Sequence, residues 1–396
     1  MGLLKYIILS ILTFTCFPGI IHAQESTEYE RSSLHLMMIK HLNHRFSEEV
    51  ESVFGDIPFP NRFNNHNLGV YSVSFAESND QDQTHNTTTF VNNVNLGQKM
   101  VAKWFNRDKR TGSFNMELVK ERGFYNASKT QQEIARKSLR GKAILEDAGE
   151  NLIKHTYVVF NDIKYKSKGG KFSMLQSFAS AYFGNAKKLM EHMEEIGGFK
   201  VSITSYLYRL VWNDDIANTF YDKYYTEDGT SEPAKVEAFK NEKNLFKMEY
   251  VGKTESEYAE SKATGVKNPN ELLIKICTRA IDQNLAQLQH EHQDFRIKAP
   301  LVSTEPITAY VGVKEGITSK SRFEVLERVI DEQGKVEYQQ VGIIAPIEGK
   351  IWDNRYLASE EESKGLTCTT FKKISGKDFF PGMLIREISG NNSVFF

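Results

Sequence analysis

The hydrophobic periodicity of the chain changes at Pro300 and Pro306, and few folds accommodate the patterns on both sides. Ahead of the prolines, segments of period two alternate with segments of helical period, the order expected of an α/β layer fold. Behind them come short alternating runs, at 307–313, 321–329, 336–344, 371–374 and 383–388. Lys314-Glu315-Gly316, Glu332-Gln333-Gly334, Gly376 and Pro381-Gly382 separate these runs as turns. Residues 300–396 therefore read as a small all-β barrel or sandwich. A proline linker joins it to an α/β domain over 61–299, a mixed sheet packed with helices.

Within 61–299 the patterns predict strands at 68–75, 114–119, 157–163, 199–212 and 245–251. They predict helices at 96–105, 130–153 and 272–288, with a polar loop at 77–89. Two insertions interrupt this order, one of helical pattern at about 166–198 and one rich in charge at about 214–268. Residues 24–60 read as a leading helical segment, with Leu34, Met37, Met38, Leu42, Phe46, Val50 and Val53 on one face. His35, His41 and His44 fall on its polar face.

The amino terminus follows another logic. Lys5, an apolar run from Tyr6 to Phe17, the breakers Pro18-Gly19 and the small Ala23 form the pattern of a cleaved signal peptide over 1–23. The run is too short to span a bilayer, and no transmembrane helix is expected after cleavage. Thr13-Phe14-Thr15 lacks the residues a lipidation site places before its cysteine, here Cys16. Removing 1–23 leaves Cys277 and Cys368, too few for a disulfide scaffold, with a pairing between them left open. Lys+Arg number 50 against 51 Asp+Glu, so no overall field favours nucleic acid. The expected location is the periplasm or the outer-membrane surface.

No nucleophile elbow, phosphate loop, HExxH or dinucleotide fingerprint occurs, and no catalytic, cofactor or metal residues are assigned. His290-Glu291-His292 points its histidines to different helix faces. Asn213-Asp214-Asp215 reads as a hairpin turn. Tyr206, Tyr208, Trp212, Tyr221, Tyr224 and Tyr225 crowd around the longest strand. They read either as a stacking surface for a glycan or protein partner or as filling between sheet and helices. An enzyme would need a site assembled from scattered groups such as His155, Asp162 and Asp214, as in a periplasmic hydrolase.

The run from Phe114 to Glu121-Arg122, followed by a helix and then by Glu150 to Tyr165, resembles the core of curli-secretion (CsgG-like) proteins. It is also similar to the flagellar-assembly FlgT middle domain and the TolB amino-terminal domain. Val201–Val211, Phe246–Tyr250 and the Leu272–Leu288 helix continue the resemblance over about residues 65–290. Gly316–Val325 and Gly376–Ile385 are similar to the small terminal barrel of FlgT-like proteins. The resemblance implies a structural role for Glu121 and Arg122, with Arg122 at a strand end. It also implies an exported, non-enzymatic assembly or scaffolding protein that contacts other envelope proteins or copies of itself. The insertions lack alternating apolar strands of bilayer length, so no pore is expected.

Overall fold

The computed structural model describes residues 31–42, 47–75, 83–126, 146, 148–166, 199–230, 232–260, 269–330 and 336–388. The signal segment, His44, the helical insertion beyond residue 166 and most of the 130–153 helix lie outside these residues. Residues 148–153 are helical.

Strands β1 (Ser33–Lys40), β2 (Asn64–Asn65), β3 (Ser72–Ser74), β4 (Thr156–Lys166), β5 (Phe199–Leu210) and β6 (Met248–Glu260) form one mixed sheet. Its order is β2-β1-β4-β5-β6, with β3 also on β1. β1 runs parallel to β2, β3 and β4, whereas β4, β5 and β6 form an antiparallel meander.

Helices cover both faces. Helix α1 (Ser47–Phe54) lies with the long helix described below against one face. Helices α2 (Thr84–Asn93), α3 (Leu96–Trp104), α4 (Glu117–Asn126), α5 (Asp214–Lys223) and α6 (Pro233–Asn241) belong to the other side. Helix α7 (Pro269–Glu291) follows β6 and crosses β5 and β6 on the α1 side.

Strands β7 (Ala299–Thr304), β8 (Ile307–Ala309), β9 (Phe323–Ile330), β10 (Val336–Pro346), β11 (Thr369–Gly376) and β12 (Leu384–Glu387) close into a barrel. A short helix, α8 (Glu360–Ser363), lies between β10 and β11. The α/β-then-β organisation is therefore present, with a barrel as its second part.

Several local expectations are corrected. The leading segment is not helical throughout, because Ser33–Lys40 is a strand buried on both faces of the sheet. Such a strand needs no alternation, so Leu34, Met37 and Met38 mimic helical spacing. His35 is thus a buried sheet residue, and His41 sits just beyond the strand. Phe114–Val119 is not a strand: only Phe114 bridges, to Glu227. Asn115 Oδ1 then accepts the Glu117 amide at 3.2 Å and the chain turns into α4.

Asn213 caps α5 by accepting from the Ile216 amide at 3.0 Å, with Asp214 and Asp215 in the first turn. Among the described residues the charged insertion thereby holds two helices and the whole of β6. The polar 77–89 stretch contains the start of α2, where Thr87 is buried and bonded to Gln83 O and Tyr208 Oη. Pro300 is a barrel residue opposite Leu384, so the supposed linker is a strand. Cys277 and Cys368 are both free thiols.

Between α7 and β7, Phe295 is fully buried. It stacks on Phe63 at 5.4 Å and meets Tyr157 at 4.8 Å between ring centroids. Phe295→Ala should cost about 3–5 kcal/mol in chemical denaturation. A loss under about 1 kcal/mol would show that this ring does not tie the end of α7 to the sheet.

Candidate functional site

The crowded aromatic residues do not form an exposed platform. Tyr206 and Tyr208 are 2% and 0% exposed, and their hydroxyls meet the Gln83 amide and the Thr87 and Thr88 hydroxyls. Tyr224 is buried and donates to Glu242 at 2.6 Å; Tyr221 contacts Glu150. Trp212 and Tyr221 pack around Phe105 and Phe220. Odd and even positions of β5 face different layers, and helices cover both layers, so the even-numbered tyrosines enter the core. The glycan or partner surface is therefore corrected to core filling with satisfied hydroxyls.

Arg122 is buried, and it stands on a helix rather than at a strand end. Its guanidinium lies 4.3 Å over the Trp104 ring. It donates to Ser33 Oγ at 2.8 Å, His66 Nδ1 at 2.8 Å and Asn65 O at 3.2 Å. Because Nδ1 accepts, His66 donates from Nε2 to Met100 O at 3.0 Å, which fixes a neutral tautomer. Burial and the neighbouring Arg122 charge hold the His66 pKa well below its usual range. One cation thereby joins α4, β1, the β2 region and α3. Glu121 is exposed.

The scattered acid–base residues do not converge. Asp162 stands seven positions along the chain from His155, about 23 Å on an extended strand, and Asp214 is exposed at the start of α5. Asp162 instead contacts His41 Nε2, with Lys164 Nζ at 3.6 Å. This pair lies toward the carboxyl ends of the parallel strands β1 and β4. Among the described residues, no group of three or more His, Cys, Asp or Glu could hold a metal ion. No described helix is long and apolar enough to cross a membrane.

Buried charge concentrates instead where α7 meets the barrel. One stripe of this helix carries Arg279, Asp282, Ala286 and Gln289 at helical spacing. Arg279 is 3% exposed and grips Glu362 of α8 with both terminal nitrogens, at 3.1 and 3.2 Å. Its Nε donates to Tyr356 O at 2.9 Å. Glu362 also meets Arg355, which holds Asp353, and its carboxyl pKa falls to about 2, chiefly through the Arg279 bond.

One turn on, burial pushes the Asp282 carboxyl up to about 7 against the pull of Lys314 and Arg62. Arg62 reaches across to Glu315 at 2.8 Å and Tyr310 O at 2.9 Å. Farther along, Glu387 lies 3.3 Å from His290, and burial raises its pKa to about 7 as well. Between these groups lies a cavity of about 30 Å³ bounded by Arg62, Gln289, Arg296, Glu315 and Glu387, the space of one water. The arrangement clamps one body to the other. Sequence reading missed these residues; two opposite charges three apart, Arg279 and Asp282, set among Ile276, Cys277, Ala280 and Ile281 were the available signal.

No protein-family model matches the chain, and a comparison with curated proteins returns no match.

Arg122→Ala should cost about 2–4 kcal/mol, because it leaves Ser33, His66 and Asn65 short of a buried donor. Glu121→Ala should change stability by under about 0.5 kcal/mol. Urea titration of both variants checks the contrast. At Asp282 the folded pKa lies above the unfolded value, so its share of stability is present in acid and lost as pH rises from about 4 to about 7. Asp282→Asn should therefore be more stable than the parent at pH 8 by about 1–3 kcal/mol, with no such gain at pH 4. Equal gains at both pH values would contradict this assignment.

Proposed function

We propose that the chain is an exported, non-enzymatic component of a Gram-negative cell envelope, acting in assembly or scaffolding. It would hold protein partners, other envelope proteins or a second copy of itself, against a body of fixed shape. The signal-like amino terminus supports export. The order of β4, β5 and β6 followed by a long helix and a small barrel supports the resemblance to curli-secretion and FlgT-like proteins. The helix that begins at Glu117 and carries Glu121 and Arg122, in place of a strand, removes one motif from that comparison.

The observation that carries the reading is the use of buried charge. Arg279 and Glu362 fix the orientation of the barrel on the sheet, which a protein bridging two partners requires. Affinity capture from envelope extract, with wild type and Arg279→Ala compared, tests it. The wild type should recover a reproducible set of envelope proteins. Arg279→Ala and the milder Glu362→Gln should lose that set about tenfold, with folding checked by circular dichroism. An unchanged set would overturn the reading.

The His41–Asp162 contact favours a second reading, a periplasmic hydrolase, because α/β sheets place ligands at the carboxyl ends of their strands. Here a carboxylate would orient an imidazole base. Under this reading His41→Ala abolishes hydrolysis of a simple ester or phosphoester and leaves partner capture unchanged.

A further inference from the structure

Among the described residues, the barrel is held to the rest of the molecule without sharing a core with it. Its apolar cluster runs from Leu301 to Ile385 and draws on no residue before Ala299. The clusters on the two faces of the sheet draw on none after Ile297. The chain passes between the two bodies once, over residues 296–298, between the Gln293–Phe295 turn and β7. Their other junction is the seam along α7, so the bodies can part there with both cores intact.

Two carboxyl groups in this seam lack the partners that Glu362 has. Asp282 is 8% exposed and makes no hydrogen bond or ion pair with a described residue. On its own helix Arg279 is committed to Glu362. From the stretch before β2, Arg62 holds Glu315; from the turn after β8, Lys314 reaches Asn61 Oδ1 at 3.2 Å. Arg62, Lys314 and Glu315 are the charges that face Asp282 from outside α7. Glu387 faces His290 of α7 at 3.3 Å, with Glu291 beside it, and also Arg296 and Ser321. Its neighbour Arg386 is paired with Glu324 of β9 at 2.6 Å. The cavity at this seam has room for about one water, too little to hydrate two carboxylates.

We propose that the seam is a proton-controlled clasp. Protonated, Asp282 and Glu387 let the barrel close on α7; ionised, they draw in water and the barrel parts from α7 about the 296–298 link. In the closed seam burial raises both groups to about 7, whereas in water a carboxyl titrates near about 4. The hold they contribute is therefore complete below about pH 4 and is lost as pH rises to about 7. Glu362, kept near about 2 by Arg279, stays ionised across that window and supplies a hold that does not vary with pH. His290, lowered by burial and by Arg296, works in the opposite sense and favours parting in acid, so the two carboxyls must outweigh it. The inference concerns a single molecule and is independent of the scaffold reading.

Thiol trapping tests it in the full chain carrying Cys16→Ser and Cys368→Ser. Ala286→Cys places a thiol against the seam cavity, whereas Cys277 is fully buried on the core side of the same helix and reports loss of that core. Both are followed by mass spectrometry with 4,4′-dithiodipyridine from pH 4.5 to 7.5, each rate divided by that of a model thiol at the same pH. The Ala286→Cys thiol should gain at least tenfold in corrected reactivity over this range, with Cys277 far behind. Asp282→Asn and Glu387→Gln should each reduce the gain and together remove it. Circular dichroism checks that the variants fold, and the single substitutions decide the matter if the pair does not. A flat profile or a gain that survives the substitutions would overturn the proposal. So would modification of the two thiols in step, which would show the chain unfolding as a whole.

Discussion

Helix α7 is buried on both sides, and that constraint organises the molecule. Leu273, Ile276, Cys277, Ala280, Ile281 and Leu288 face a core shared with β4, β5 and α1. The other side meets the barrel and carries charge into a nearly dry seam. Ionised groups survive there only with partners, and removing one partner strands the other. The two-pronged Arg279–Glu362 contact is thus more than a surface ion pair: its geometry requires α8, and with it the whole β10–β11 connection, to lie in one place. Asp282 and Glu387 sit in the same seam without equally strong partners, and burial raises both carboxyls above their usual range. One stripe of a single helix thereby carries both Arg279 of the clamp and the weak point Asp282.

Much of the architecture was legible because it rests on local periodicity. The long alternation of β5, the apolar run of β4, the helix after Pro269 and the turn-punctuated strands of the barrel follow from residue order. What escaped has identifiable causes. β1 is covered on both faces, so its pattern carries no alternation. Asn115 and Asn213 bend the chain through single side-chain hydrogen bonds that override the neighbouring pattern. The tyrosines of β5 were visible as a group, but whether a ring faces water or a helix depends on segments far along the chain.

The same holds for the site. Arg122 stood out in the sequence, whereas its partners Ser33 and His66 lie 89 and 56 residues away. The Arg279–Glu362 pair spans 83 residues, and neither member carries a local motif. Contacts of this kind are written in three dimensions only.

The two margins of the sheet are finished differently from its centre. On one side β2 and β3 are two and three residues long. On the other, β6 runs for thirteen residues and, among the described strands, pairs with β5 alone. Along it Lys253, Glu255 and Glu257 are exposed at alternate positions. A second molecule adding its own β6 in register would bring carboxylates against carboxylates, while the stunted margin opposite offers too few amides to hold a new strand. The barrel, being closed, has no margin at all. Among the described residues β6 is thus the long open margin of the fold, and Glu255 and Glu257 along it oppose a copy laid parallel in register.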